Sequence, residues 1–167
     1  IYNDGIQTVI NMATIYGRVE LKLSATVLML VLLVIQFVAF FGALIFGAIG
    51  AKITAKKALM FSLVLWSGVV VYAYFMRSAG EFFALGVVVG LVMGGSQALS
   101  RSLYGIMIPP HASAEFYGFY SVFDKFSAIW GPLVFSVIGQ ITGSLRTSIV
   151  SLIVFFIGGF VLLSFVN

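Results

Sequence analysis

The chain has 167 residues, of which 62% are hydrophobic and 8% are charged, and its mean hydropathy is +1.18. Ordinary soluble domains carry about 25% charged residues. A water-exposed globular surface is therefore excluded, and we expect an integral membrane protein. The net charge is +4, but the basic residues are scattered between apolar runs and form no stripe for nucleic-acid phosphates.

Six segments in chain order approach the length of about 20 residues that crosses about 30 Å of hydrocarbon. The first is polar for a membrane span, and the fourth is rich in glycine and closed by Pro109 and Pro110. The basic link at 51–57 favours the cytoplasmic side. We predict an all-α membrane protein with one six-helix bundle, whose spans lie at about 1–17, 24–50, 58–76, 82–108, 116–140 and 148–166.

The two halves of the chain share a hydropathy pattern. In each half a polar span is followed by a long one and then by a plain apolar one, and the halves are offset by about 90 residues. Because three helices reverse the chain direction across a membrane, the second unit must be inverted relative to the first. This pattern predicts two inverted three-helix repeats.

Three stretches resemble a known family. The opening YNDGIQTVINMATIYG and the stretch GGSQALSRSLYGIMIPPHASAEFYGFYSVFDKFSAIWGP resemble the seventh span and the tenth-to-eleventh-span region of the vacuole-effluxer family, within the major facilitator superfamily. GAIGAKITAKKAL resembles the basic loop after the eighth span. This loop departs from the superfamily pattern, because Ala51 and Thr54 stand where an Asp and a Gly are usual.

The resemblance implies that the six helices are spans seven to twelve of a secondary transporter, half of a major facilitator fold, with the N-terminal six-helix half absent from this chain. It implies alternating access and transport of amino acids or similar small polar solutes, with protons as a possible coupling ion. The implied partners are the lipid bilayer, the N-terminal half and the solute. We expect residence in a bacterial cell membrane rather than a vacuolar one.

The first span carries the densest group of polar residues. Asn3, Gln7 and Asn11 recur every four residues, and Asp4 and Thr8 lie one step beside them, so we expect one continuous stripe. The stripe is interpreted as a substrate-binding wall, with Asp4 as a proton or cation site. Hydrogen bonding that merely joins helices is the alternative.

The fourth span combines small and polar residues. Gly86, Gly90 and Gly94 recur every four residues and predict close helix packing. Ser96 and Gln97 follow them and are candidate substrate-binding residues.

Further charged residues are predicted to couple or gate transport. Arg101 and Asp124 lie about 10 and 12 Å from the same end of an antiparallel hairpin, which predicts an ion pair between them. Lys125 points elsewhere and is a second candidate in the fifth span. Tyr117 and Tyr120 share a face with Asp124. They are interpreted either as a contact with the missing half or as interfacial anchors.

The remaining function classes have less support. The chain has no Gly-rich loop ending in Gly-Lys-Ser or Gly-Lys-Thr, which disfavours an ATP-driven pump. A six-span half carrier that pairs with itself is one alternative. An intramembrane serine hydrolase at Ser96 is another, but it would need an embedded His, and His111 lies in a link beside Pro110. We therefore predict no enzyme, and without Cys or a His cluster we predict neither metal nor cofactor.

Overall fold

The computed structural model describes residues 2–109, 113–127 and 129–166, and His111 lies outside this range. The described residues are almost entirely helical. They form α1 (Tyr2–Val19), α2 (Ala25–Ile53), α3 (Ala55–Phe75), α4 (Ala79–Met107), α5 (Ser113–Ser127), α6 (Trp130–Thr142), α7 (Leu145–Ser151) and α8 (Ile153–Phe165).

Five segments of the described chain are long and apolar enough to cross a membrane. They are Ala25–Ile53, Ala55–Phe75, Ala79–Met107, Ala114–Thr142 and Leu145–Phe165. The all-helical membrane fold predicted from the sequence is confirmed by these helices. The first predicted span also forms a helix, α1, but it is too polar to meet the same criterion.

Both of the last two predicted spans consist of two helices. In the fifth, α5 ends at Ser127 and α6 begins at Trp130, with Gly131 and Pro132 in its first turn. Proline is tolerated there because the first turn of a helix needs no N–H donor, whereas a continuous helix would require one. Between α7 and α8, Leu152 keeps helical dihedral angles.

Helix starts follow the polar residues of the short links. Ser24 accepts a hydrogen bond from the N–H of Val27, and Ser78 and Glu81 form a reciprocal capping box at the start of α4. Thr54 both ends α2 and caps α3, with a φ of 121°. That angle favours glycine, so Thr54 holds a strained turn at the position where the superfamily pattern has Gly.

The predicted glycine packing of the fourth span is confirmed. A β-carbon on Gly90 would lie 2.7 Å from the carbonyl oxygen of Ile35, and one on Gly94 would overlap the backbone of Ala39. From the opposite side, a β-carbon on Gly42 would overlap the backbone of Leu91. The backbones of α2 and α4 are therefore in direct contact along this seam.

The centre of the bundle is built on α3, which contacts α2, α4, α7 and α8. Trp66 is fully buried and stacks on Phe156 of α8, with ring centroids 5.6 Å apart and an interplanar angle of 10°. The hydroxyl of Tyr16 on α1 donates to the carbonyl oxygen of Ala73 at 2.9 Å. These contacts fix α1 beside the core and determine which of its faces remain open.

Candidate functional site

The polar residues of α1 lie on two faces rather than on one stripe. Asn3 and Gln7 are half-buried and Asn11 is exposed, whereas Asp4 and Thr8 are 1% and 0% exposed. Adjacent helix positions point about 100° apart, so a single step along the chain separates an open face from a buried one. The expectation of one continuous stripe is therefore corrected to an open amide face beside a buried carboxyl and hydroxyl.

The open face of α1 is joined to α5 by a side-chain hydrogen bond. The amide Nδ2 of Asn3 donates to Oδ1 of Asp124, which is half-buried. An intramembrane carboxylate is costly without donors, and hydrogen bonds to charged groups are stronger than neutral ones. Asn3 therefore stabilises Asp124 while fixing α5 against α1.

The ion pair between Arg101 and Asp124 stays a prediction. The Asp124 carboxylate receives the Asn3 amide, and the Arg101 side chain is exposed. Tyr117 donates through its hydroxyl to the backbone carbonyl of Arg101 at 3.2 Å. Lys125 is also exposed, as expected from its direction on the helix.

The buried face of α1 meets the start of α6. A β-carbon on Gly131 would lie 2.8 Å from Oδ1 of Asp4 and would overlap Oγ1 of Thr8. Among the described residues, these two oxygen atoms have no hydrogen-bond partner. Buried polar groups are hydrogen-bonded in the great majority of cases, so two adjacent exceptions indicate a functional position.

The end of the helix that faces Asp4 is electrostatically matched to a carboxylate. Ile129 is the N-cap residue of α6 and makes no side-chain capping bond. The uncapped N–H groups at a helix N-terminus carry a partial positive charge that favours an anion. Asp4 of α1 thus lies where the second half of the fifth span attracts negative charge.

Ser96 belongs to the packed interior. Its side chain is fully buried, accepts a hydrogen bond from Nε1 of Trp66 at 3.3 Å and donates to the carbonyl oxygen of Met93 at 3.1 Å. This geometry supports a packing role, and substrate binding by Ser96 stays a prediction. The neighbouring Gln97 is half-buried.

A hydrogen bond that sequence reasoning missed joins α1 to α4. The hydroxyl of Tyr2 donates to Oγ of Ser100 at 2.8 Å, and Ser100 donates to the carbonyl oxygen of Ser96 at 2.6 Å. The available signal was the four-residue spacing of Ser96 and Ser100 on one helix face. Tyr2 gave no such signal, because its partner is 98 residues away.

Tyr117 and Tyr120 form a cluster with Tyr104. The centroid of the Tyr104 ring lies 5.5 Å from that of Tyr117 and 4.9 Å from that of Tyr120. The hydroxyl of Tyr104 donates to the carbonyl oxygen of Phe116 at 2.9 Å. This cluster joins the end of α4 to the start of α5. The sequence predicted either a contact with the missing half or anchoring at the membrane interface, and it did not predict this contact within the chain.

Charged side chains tie helix ends together on both sides of the bundle. Nε of Arg146 lies 3.1 Å from a carboxylate oxygen of Glu20, and its guanidinium also donates to the carbonyl oxygen of Tyr74. On the other side, Nζ of Lys56 donates to the carbonyl oxygens of Ser164 and Val166 at the end of α8. A cation at a helix C-terminus is stabilised by the free carbonyls there. Lys56 of the basic loop therefore anchors the last helix.

Within the described residues, no three or more His, Asp or Glu side chains group as metal ligands. The chemistry of the centre is therefore that of amides, hydroxyls and two carboxyl groups. A bundle of apolar helices with this polar seam defines a multi-pass integral membrane protein.

Comparison with known proteins identifies the family. The family described as "Vacuole effluxer Atg22 like" matches residues 1–167, and the chain belongs to this family. The resemblance predicted from the sequence motifs is thereby confirmed.

Individual relatives are bacterial and fungal. The chain is 41% identical over 165 residues to "Uncharacterized MFS-type transporter YxiO" of Bacillus subtilis (strain 168), covering 99% of this chain and 38% of the relative. It is 32% identical over 165 residues to "Autophagy-related protein 22-1" of Neosartorya fischeri, covering 90% of this chain and 27% of the relative. The chain thus spans well under half the length of these curated relatives.

Proposed function

We propose that this chain forms the six-span C-terminal half of a secondary transporter that moves amino acids or similar small polar solutes by alternating access. The observation that carries the proposal is the polar seam of α1, with an open amide face and a buried carboxyl inside an apolar bundle. Family membership and the printed name of the bacterial relative, an MFS-type transporter, support it.

The packing of the helices supports two related three-helix units. α4 packs against α2 and α3, and α1 packs against α6 and α8. If the fifth span is α5 with α6 and the sixth is α7 with α8, these contacts are equivalent under an exchange of the two halves. Such an exchange is typical of the inverted repeats of secondary transporters.

The open face of α1 is proposed as the substrate wall. Asn3, Gln7 and Asn11 offer amide donors and acceptors, which suit the carboxylate and ammonium groups of an amino acid. Gln97 of α4 is proposed to complete this wall. The second wall comes from the N-terminal half of the transporter, the proposed partner of this chain in a bacterial cell membrane.

The buried face of α1 is proposed as the coupling site, with a proton as the coupling ion. A proton on Oδ1 of Asp4 turns an unpartnered acceptor into a donor, and the unpartnered hydroxyl of Thr8 faces the same point on α6. A metal cation requires several oxygen ligands, whereas Asp4 and Thr8 bring two unpartnered oxygen atoms to this point. Asp124 and the exposed Arg101 and Lys125 are proposed to gate the open face.

The test measures tracer flux of a panel of amino acids by the intact transporter in liposomes, with a pH gradient held or collapsed. We expect flux of at least one amino acid to require the gradient and to be lost in Asp4→Asn, which cannot exchange a proton. Glu115→Gln is the matched control, because Glu115 is an exposed carboxylate in the first turn of α5 and should keep full flux.

Two outcomes would contradict parts of the proposal. Gradient-driven flux that persists in Asp4→Asn would show that Asp4 is not the coupling site, without contradicting the proposal that the protein is a transporter. No flux across the panel, from protein shown to be folded, would overturn the substrate class.

A further inference from the structure

A groove of about 770 Å³ lies between the fifth span and α8, with Asp4 among its lining residues. Both α6 and α8 pack against α1, and the groove lies between α6 and α8 beside the first turn of α1. Phe123, Phe126 and Trp130 form one wall, and Phe155 of α8 lies on the other. This groove lies on the buried side of α1, away from the amide face.

The lining of the groove is apolar and aromatic apart from the carboxyl group. The exposed fractions of Phe123, Phe126 and Trp130 are 66%, 66% and 64%, so the aromatic wall is accessible. Oδ1 of Asp4 has no hydrogen-bond partner among the described residues. Asp4 is the ionisable residue among those that line the groove, and a cation placed beside its carboxylate would offset part of the cost of burying that charge.

The aromatic wall suits the same ligand charge. Aromatic faces attract cations within about 6 Å, and the attraction is larger where water is excluded. A groove of this size accommodates a small organic molecule, because ligand sites are typically about 300 to 1,000 Å³ and mostly apolar with few polar groups. One carboxyl group and several ring faces together specify an ammonium group on an apolar body.

We propose that this groove is a binding site for lipid-soluble amines, with the ammonium group on Asp4 and the apolar body against Phe126 and Trp130. The site is separate from the proposed substrate wall on the other face of α1. It shares Asp4 with the proposed coupling site, so a bound amine would compete with the coupling proton. Binding itself requires neither a gradient nor transport.

The test uses the intact protein in detergent micelles and measures saturable binding of tritiated 4-phenylbutylamine. We expect 4-phenylbutanol, which has a similar body without the charge, to compete at least tenfold more weakly than the unlabelled amine. Asp4→Asn should weaken amine binding at least tenfold, and Phe126→Ala several-fold. Phe126→Ala keeps the test decisive if Asp4→Asn fails to fold.

Two control variants match these changes in chemistry but lie outside the groove. Glu115→Gln removes an exposed carboxylate, and Phe37→Ala removes an exposed ring on α2, so both should bind the amine as the unchanged protein does. Equal binding of amine and alcohol, unchanged affinity in folded Asp4→Asn, or partition into micelles without saturation would overturn the proposal.

The outcome is separable from that of the transport proposal. Saturable amine binding by protein that shows no amino-acid flux would support the groove and contradict the proposed substrate class. Flux that is lost in Asp4→Asn, from protein that binds no amine, would support coupling and contradict the groove.

Discussion

Gly131 of α6 approaches Asp4 of α1 so closely that a β-carbon at residue 131 would lie 2.8 Å from Oδ1 of Asp4. The same β-carbon would overlap Oγ1 of Thr8 and lie 2.9 Å from its Cβ. Since the Cβ of Thr8 moves only with the backbone, a rotamer change alone cannot make room. The broken end of the fifth span and the buried face of α1 therefore form one packed unit.

We predict that Gly131→Ala destabilises the protein by about 1 to 3 kcal/mol, the usual cost of overpacking a close contact. The added methyl group must push α6 away from α1 and expose the Asp4 carboxyl. Thermal unfolding of the purified intact protein in detergent measures the loss, and reduced gradient-driven flux should accompany it.

Gly47→Ala is the matched control for Gly131→Ala. A β-carbon on Gly47 meets nothing within 4 Å, and Gly47 lies inside α2. Alanine is a better helix former by about 1 kcal/mol, so this variant should be neutral or slightly stabilised. Equal unfolding temperatures for both variants would contradict the close packing of α6 on α1.

Thr54 provides a second prediction, based on backbone strain. Its φ of 121° costs of order 1 to 3 kcal/mol for a residue with a side chain, whereas glycine adopts this angle freely. Loss of the hydroxyl cap to glycine costs only a few tenths of a kcal/mol. Thr54→Gly should therefore raise the unfolding temperature.

Thr54→Ala separates strain from capping in the same turn. It removes the hydroxyl that accepts from the N–H of Lys57 but keeps a β-carbon at the strained angle. We expect an unfolding temperature below that of the unchanged protein, in the order Gly, Thr, Ala. A Gly variant that unfolds below the unchanged protein would show that this turn is not strained.

Most of the fold could be predicted from hydropathy because spans and links differ in composition by large amounts. The helices α2, α3 and α4 begin and end within a few residues of the predicted spans. The start of a separate helix at Trp130 was missed, although Gly131 and Pro132 together were a signal for it. The glycine seam of α4 was predictable because the spacing alone specifies a face.

Less of the candidate site could be predicted from the sequence. Helical spacing placed the amides Asn3, Gln7 and Asn11 on one face, but not the separation of Asp4 and Thr8 from them. That separation depends on Gly131, which is more than 120 residues away in the chain. The hydrogen bond from Asn3 to Asp124 depends likewise on how α1 docks against α5, which no local sequence pattern predicts.

Ser96 and Trp66 provide a third prediction, which distinguishes packing from substrate binding. Trp66→Phe removes the Nε1 donor to Ser96 and keeps an aromatic ring against Phe156, and we expect a destabilisation of about 1 to 3 kcal/mol. Ser96→Ala removes the acceptor and should cost about 1 kcal/mol, while the KM of transport stays unchanged.

A double-mutant cycle tests whether these two side chains interact. The combined variant should cost less than the sum of the single variants, because both remove one hydrogen bond. A raised KM in Ser96→Ala with unchanged unfolding temperature would instead indicate that Ser96 binds substrate.

The hydrogen bond from Asn3 to Asp124 provides the last prediction. Asp124→Asn and Asn3→Asp should each destabilise the protein by about 1.5 to 3 kcal/mol, because each replaces an amide–carboxylate pair by two amides or by two carboxyl groups. Exchanging both residues, in Asn3→Asp with Asp124→Asn, restores one donor and one carboxylate across the same helix contact. The exchange should recover most of the unfolding temperature while gradient-driven flux stays low, because the charge has moved from α5 to α1. Strictly additive losses in the double variant would show that this hydrogen bond does not hold the two helices together.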